Sequence, residues 1–123
     1  TTSQSLLDKI AQQNEIADYV MEPEIAKLLK KGKFGKYKDK KTKQMQLCFL
    51  SNNDITGGNS GSPMFDGNGH VIGLAFDGNW EAMAGDISFD PTLQRCIGVD
   101  IRFVLWIIER WGGGKNIIKE LGL

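Results

Sequence analysis

The chain has 123 residues, and 41% of them are apolar, which is enough for one compact domain with a hydrophobic core. Its 15 basic residues balance its 15 acidic ones, so the charge gives no reason to expect nucleic acid as a partner. No apolar run approaches the roughly 20 residues that a membrane-spanning helix needs, so we expect no membrane span.

Residues 1–43 predict a helical and basic-loop lead-in. Apolar residues recur at helical spacing over residues 4–20 and predict an amphipathic helix. Pro23 suits the first turn of a second short helix over residues 24–31. Many lysines then follow between Lys30 and Lys43. A nucleic-acid patch is one interpretation of this segment, but the balanced total charge favours a solvated loop.

Residues 44–123 predict strands followed by helices. The predicted elements are, in chain order, a buried strand over residues 45–50, a loop over 51–63, strands over 70–76 and 94–101, and helices over 103–111 and 116–121. The Asp-Gly-Asn-Gly run at residues 66–69 is a strong hairpin signal. So few strands cannot close a barrel, and open edges favour aggregation. We therefore expect a mainly β fold with flanking helices that forms the C-terminal part of a larger barrel.

Two cysteines, Cys48 and Cys96, do not make a disulfide framework. They could form one bridge or remain two thiols. Both lie in apolar runs, where a free cysteine packs as a small hydrophobic residue, so we favour thiols.

The stretch that carries chemistry is Gly-Gly-Asn-Ser-Gly-Ser-Pro at residues 57–63. Its glycines permit positive φ and a close approach of substrate to the backbone. Such a turn can aim the backbone N–H groups of Gly58 and Ser60 at the oxyanion of a tetrahedral intermediate. A plain structural turn is the alternative. However, the order of strand, loop, strand and C-terminal helix resembles the end of the chymotrypsin-like fold, so we predict Ser60 to be a peptidase nucleophile.

A nucleophilic serine needs a base and an acid that orients that base. The sequence has a single histidine, His70, ten residues after Ser60 at the start of the next strand. In chymotrypsin-like proteins the histidine and aspartate precede the serine, so we interpret His70 as a surface residue at a hairpin end. We expect the base and acid to lie upstream, outside this chain, and the chain alone to be inactive. A lone histidine also gives no reason to expect a metal or other cofactor.

The segment from Cys48 to Leu121 closely resembles the dipeptidyl-peptidase 7 and dipeptidyl-peptidase 11 family of bacterial serine exopeptidases. Residues 49–63, 73–83 and 99–102 carry the match. The resemblance implies a chymotrypsin-like double β-barrel with an added helical domain. It also implies release of dipeptides from the free amino ends of peptides, a periplasmic or cell-surface location in Gram-negative bacteria, and a homodimer.

The resemblance also implies roles for individual residues. Ser60 matches the nucleophile, and Gly58 with Ser60 matches the oxyanion donors. Asp77 matches the carboxylate that holds the substrate's α-ammonium, although it could instead be a turn aspartate beside Gly78. Arginine at position 78 goes with acidic side chains next to the scissile bond, so Gly78 predicts apolar or aromatic ones. Phe76 would line the same pocket, or it belongs to the core.

Two residues near Ser60 bear on specificity and activation. An aspartate six residues before the serine, as Asp54 is, selects Lys or Arg in trypsin-like enzymes, so basic specificity is an alternative. Trypsin-type zymogens use an aspartate at the position of Asn59 to pair with a newly cut amino terminus. Asparagine cannot form that ion pair, so we expect no cleavage-triggered ordering of the loop.

Two other functions stay open from the sequence. An endopeptidase of the same fold would accept substrates with blocked amino ends. A non-catalytic interaction domain that kept the loop would never react with serine-directed reagents. We interpret the three tryptophans, Trp80, Trp106 and Trp111, as packing residues, and Glu81 and Asp86 as solvated charges.

Overall fold

The computed structural model describes residues 1–12, 19–84 and 87–123. Its elements are, in chain order, α1 (Ser3–Ala11), α2 (Pro23–Lys31), β1 (Cys48–Ser51), β2 (Pro63–Phe65), β3 (Val71–Gly78), β4 (Cys96–Asp100), α3 (Ile101–Arg110) and α4 (Lys115–Glu120), with 3₁₀ segments at Gly35–Tyr37 and Trp80–Ala84. The chain forms two compact units, residues 1–47 with 102–123 and residues 48–101. The boundary predicted between residues 43 and 44 stays a prediction. None of the helices within the described ranges is long and apolar enough to cross a membrane.

The helical unit begins with a capped helix. Thr2 and Ser5 form a capping box at the start of α1, in which each side chain accepts the other residue's backbone N–H. The helix predicted over residues 4–20 is confirmed over residues 4–11. Its central apolar residues, Ile16 and Ala17, lie outside the described residues, and Val20 is 70% exposed and not helical. In α2 the prediction is confirmed, with Pro23 in the first turn.

Trp106 is the centre of the helical unit's core, since only 1% of its surface is exposed. Its ring meets the edge of Phe34 at a centroid distance of 5.7 Å, and its indole N–H donates to the Lys33 carbonyl at 3.4 Å. Beside this core the hydroxyl of the buried Tyr37 donates to the Glu109 carboxylate at 2.6 Å. The packing role predicted for Trp106 is confirmed.

The other unit contains a four-stranded antiparallel sheet with the order β1-β4-β3-β2. The β2–β3 hairpin turns at residues 66–69, as predicted. On one face the Phe49 ring lies against two glycines that leave room for it. A Cβ added at Gly73 would come within 2.6 Å of that ring, and one at Gly98 within 2.9 Å. Met64, Ala75 and Cys96 form the buried cluster beside the ring.

The first predicted strand is misplaced in its N-terminal half. Residues 45–47 do not belong to β1, because their backbone pairs with the chain start instead: Ser3 N–H donates to the Met45 carbonyl at 2.8 Å, and Leu47 N–H donates to the Thr1 carbonyl at 2.9 Å. Local sequence could not show this, since an apolar run looks the same whether its partner is a sheet or an isolated bridge.

The cysteines are free thiols, as favoured from the sequence. In the β1–β4 register Cys48 pairs with Val99, and Cys96 pairs with Ser51. The two cysteines therefore lie at opposite ends of their strand pair, about 10 Å apart along the strands, which is too far for a disulfide. Burial raises the pKa of both thiols, so neither is an activated nucleophile.

Two other tryptophan predictions are wrong. Trp80 is 82% exposed and Trp111 is 48% exposed, so neither is a core residue. In the 3₁₀ segment Trp80–Ala84, Ala82 is the residue that lies against Gly78. Glu81 is exposed, as predicted, whereas Asp86 lies outside the described residues.

Candidate active site

Ser60 lies on the loop that joins β1 to β2, and its side chain is exposed. The loop turns at Gly58 and Gly61, whose φ angles of 95° and 88° side-chain-bearing residues rarely adopt. Two hydrogen bonds pin the loop to β3, because Gly61 N–H donates to the Ala75 carbonyl at 2.7 Å and Ala75 N–H donates to the Ser62 carbonyl at 2.9 Å. The serine is therefore presented on a turn that is anchored to the sheet.

The backbone N–H groups of Gly58 and Ser60 have no acceptor among the described residues. The Ser60 hydroxyl donates a long hydrogen bond of 3.4 Å to the Phe76 carbonyl. Buried backbone donors are nearly always paired, whereas these two lie on an exposed segment and remain open to a ligand. The turn thus offers two donors beside a hydroxyl, which are the groups that acyl transfer requires.

A β-bulge near the end of β3 brings two consecutive residues to the cleft beside the serine. Ala75 pairs with Gly98 and Asp77 pairs with Ile97, so Phe76 is an extra residue in β3. In a regular strand neighbouring side chains point to opposite faces, and a bulge re-aims one of them. As a result both Phe76 and Asp77 line a cleft beside Ser60. Phe76 is 44% exposed and is not a core residue.

This cleft, which we call the Ser60 cleft, has a volume of about 220 Å³. Its described lining consists of Ile55, Thr56, Gly57, Ser60, Phe76, Asp77, Gly78, Asn79, Ala82 and Met83. Ser60, Phe76, Asp77 and Gly78 were predicted to share a site, and they do lie together. Gly58 is not part of the lining but is two residues away in the same turn. The exposed Asp77 carboxylate accepts the Gly78 N–H at 2.8 Å and is open to a cation.

The far wall of the cleft is the 3₁₀ segment Trp80–Ala84, which the sequence did not indicate. Asn79 anchors it: the side-chain N–H groups donate to the Leu93 carbonyl at 2.8 Å and to Glu81 at 2.7 Å, and its side-chain oxygen accepts the Arg95 N–H at 2.8 Å. An asparagine just after a strand is a common side-chain-to-backbone bridge, and that was the signal available.

Asp54 lies away from the Ser60 cleft. It lines a separate cavity of about 290 Å³, together with Met64 and Cys96 from the sheet core. It is not among the described residues that line the cleft beside Ser60. The spacing of six residues before the serine therefore does not place this carboxylate at the pocket base.

His70 is held at the other end of β3. Its Nδ1 lies 3.1 Å from the Asp66 carboxylate, which also accepts the backbone N–H groups of His70 and Asn68, each at 2.9 Å. These hydrogen bonds hold the pKa of the Asp66 carboxyl below its usual range. Six residues of strand separate His70 from Phe76, the residue that contacts Ser60, which corresponds to about 20 Å. His70 is therefore a hairpin residue and not the base.

Within residues 1–12, 19–84 and 87–123, no three His, Cys, Asp or Glu side chains gather into a cluster that could hold a metal ion.

Comparison with known proteins identifies the family. Residues 1–123 match Peptidase S46 throughout. This chain belongs to the Peptidase S46 family. It is 54% identical over 123 residues to dipeptidyl-peptidase 7 of Porphyromonas endodontalis, covering all of this chain and 14% of that protein. It is 43% identical over 124 residues to an Asp/Glu-specific dipeptidyl-peptidase of Capnocytophaga gingivalis, covering 99% of this chain and 17% of that protein.

A solved structure has the same fold. The crystal structure of Porphyromonas endodontalis DPP11 in complex with the dipeptide Arg-Glu matches with a TM-score of 0.89 at 35% identity, over 99% of this chain and 17% of that one. The mainly β fold with flanking helices is thus confirmed for this S46 segment. The chain spans about one sixth of the length of these relatives.

Proposed function

We propose that the longer protein containing this chain is a serine-type dipeptidyl aminopeptidase and that Ser60 is its nucleophile. One observation carries this proposal. The exposed Ser60 hydroxyl and the Asp77 carboxylate line one cleft, and the backbone N–H groups of Gly58 and Ser60, which have no acceptor among the described residues, lie on the turn that presents Ser60. The match to dipeptidyl-peptidases over the whole chain supports it.

In the proposed reaction the Ser60 oxygen attacks the carbonyl carbon of the substrate's second residue, and the hydroxyl proton passes to a base. The backbone N–H groups of Gly58 and Ser60 stabilise the oxyanion, and each such donor contributes about 10²- to 10³-fold in rate. The leaving amine takes the proton, and water then releases the dipeptide from the acyl-enzyme. Because His70 is remote, the base and its acid come from a preceding part of the longer protein, within the double barrel implied by the resemblance.

Asp77 explains why a free amino end would be required. Its carboxylate lines the cleft that contains Ser60, and a substrate α-ammonium can pair with it through a charge-assisted hydrogen bond. A blocked amino end has no charge to offer, and the carboxylate would then be desolvated without a partner. The same pairing fixes the distance from the amino end to the scissile bond, which limits the product to a dipeptide.

The cleft favours an apolar or aromatic residue before the scissile bond. Its described lining includes the apolar side chains of Ile55, Phe76, Ala82 and Met83 and contains no Lys, Arg or His. An acidic side chain would find no cationic partner among these residues, while an apolar one gains about 25 cal/mol for each Å² that it buries. Since Asp54 lines another cavity, it adds no support for basic specificity.

The test uses the longer protein with fluorogenic dipeptidyl substrates. We expect turnover of dipeptidyl substrates that have a free amino end and an apolar second residue, and loss of turnover when the amino end is acetylated or when Ser60→Ala is introduced. Asp77→Asn should lower kcat/KM by about 10- to 100-fold, as expected for a charged hydrogen bond, while the matched Asp54→Asn should not. Efficient cleavage of acetylated substrates would instead indicate an endopeptidase.

A second measurement addresses the chain by itself. We expect a fluorophosphonate probe to leave Ser60 of the 123-residue chain unlabelled and to label it in the longer protein. No label in either protein would support a non-catalytic domain. As part of the same proposal, resting on the resemblance alone, the protein is a homodimer in the periplasm or at the cell surface of a Gram-negative bacterium. Cell fractionation and light scattering test these two points.

A further inference from the structure

Two consecutive turns meet at Asn59. The Thr56 carbonyl accepts the Asn59 N–H at 3.1 Å, and the Asn59 carbonyl accepts the Ser62 N–H at 3.0 Å. Each four-residue turn has a glycine with positive φ at its third position, Gly58 in the first and Gly61 in the second. This pattern defines two type II turns. The orientation of the Gly58 N–H is thus a property of the first turn.

The central peptide of that first turn has little to hold it. A Cβ added at Gly57 or at Gly58 would meet no atom within 4 Å, so side-chain packing does not restrict either residue. Type I and type II turns differ mainly by a rotation of the central peptide, which here carries the Gly58 N–H. A rotated peptide would point this donor away from the oxyanion. Some other contact has to hold the turn.

The Asn59 side chain supplies such a contact. The side-chain Oδ1 accepts the Thr56 N–H at 2.9 Å, while the backbone N–H of Asn59 donates to the Thr56 carbonyl. The two residues are therefore joined in both directions, and the pair of hydrogen bonds closes a ring around the two glycines. The neutral amide oxygen makes this contact without a counter-ion.

We propose that Asn59 is a positioning residue that keeps the Gly58 N–H directed at the reacting carbonyl, so that the oxyanion site is formed without any ion pair to an amino terminus. This inference rests on the proposed function of Ser60. Asn59 does not touch the substrate. It acts through the turn, and its removal should weaken transition-state binding while ground-state binding stays intact.

The test compares Asn59→Ala, Asn59→Leu and Asn59→Asp in the longer protein, with Asn68→Ala at the hairpin tip as the matched control. Leu has the shape of Asn without an acceptor, and Asp keeps the acceptor. We expect Ala and Leu to lower kcat by about 10- to 10³-fold at little-changed KM, up to the contribution of one oxyanion donor. Asp should restore most of kcat at neutral pH, and Asn68→Ala should have no effect.

A dipeptidyl boronate and the product dipeptide separate positioning from general loosening. The boronate forms a tetrahedral adduct with serine, so its affinity should fall by the same factor as kcat, while product affinity stays constant. Unchanged kcat in both Ala and Leu, or a parallel loss of boronate and product affinity, would overturn the inference. Fluorophosphonate labelling of the unsubstituted protein is scored first, because absence of label at Ser60 overturns the proposed function and this inference with it.

Discussion

Gly78 is a position where one added methyl group should move the wall of the cleft. A Cβ at this residue would lie 2.7 Å from the Ala82 Cβ and 3.5 Å from Ile55 Cγ2. Carbon atoms in contact normally lie about 3.5–4.0 Å apart, so the first approach overlaps by about 1 Å. The 3₁₀ segment cannot easily withdraw, because Asn79 bonds it to Leu93 and Arg95.

Gly78→Ala should therefore cost about 1–3 kcal/mol of folding free energy, the usual cost of overpacking. For a domain of this size that lowers the melting temperature by about 4–12 °C. Displacement of the wall should also reduce kcat/KM for aromatic second residues more than for alanine. Gly67→Ala is the matched control, since a Cβ there meets nothing within 4 Å.

A second substitution tests the contact between Gly78 and Ala82 directly. Ala82→Gly removes the methyl group that Gly78→Ala would strike, so the double variant should recover most of the lost stability, with a coupling energy of about 1–2 kcal/mol. Thermal unfolding of the four proteins measures it. If Gly78→Ala leaves both stability and substrate preference unchanged, or if Ala82→Gly fails to rescue it, the wall does not rest on Gly78.

Three further predictions follow from other contacts. Burial and the hydrogen bond to Glu109 raise the pKa of Tyr37 to about 12. The contribution of the neutral Tyr37 hydroxyl to the free energy of unfolding is therefore complete below pH 10 and is lost between pH 10 and 12. Denaturant titrations should show that the unfolding free energy falls by about 2–3 kcal/mol more over this range than in Tyr37→Phe. Gly73→Ala should lower the melting temperature strongly, because the added Cβ would lie 2.6 Å from the Phe49 ring. An unchanged melting temperature would contradict this packing. His70→Ala should leave peptidase activity of the longer protein intact. A loss of activity as large as that of Ser60→Ala would instead identify His70 as the base.

Features that depend on neighbouring residues were predictable from the sequence. Pro23 marked the start of α2, and the run at residues 66–69 marked the hairpin, because backbone preferences of proline, glycine and asparagine act within a few residues. The same holds for the Ser60 turn, whose glycines at positions 58 and 61 do adopt positive φ. Ser60, Phe76, Asp77 and Gly78 were expected at one site on the resemblance, and they do meet at one cleft.

The features that the sequence did not predict depend on residues that are distant in the chain. Residues 45–47 left the predicted strand because the chain start supplies their hydrogen bonds. Asp54 has the spacing of a pocket-base carboxylate, yet the loop directs it to the cavity beside Cys96. The bulge at Phe76 arises from the register between β3 and β4, and the cleft wall from Ala82 packing on Gly78. The sequence by itself determined the turn that presents Ser60, since that conformation is local. Only the tertiary structure decided which side chains surround it, because strand register and packing are set by residues far apart in the chain.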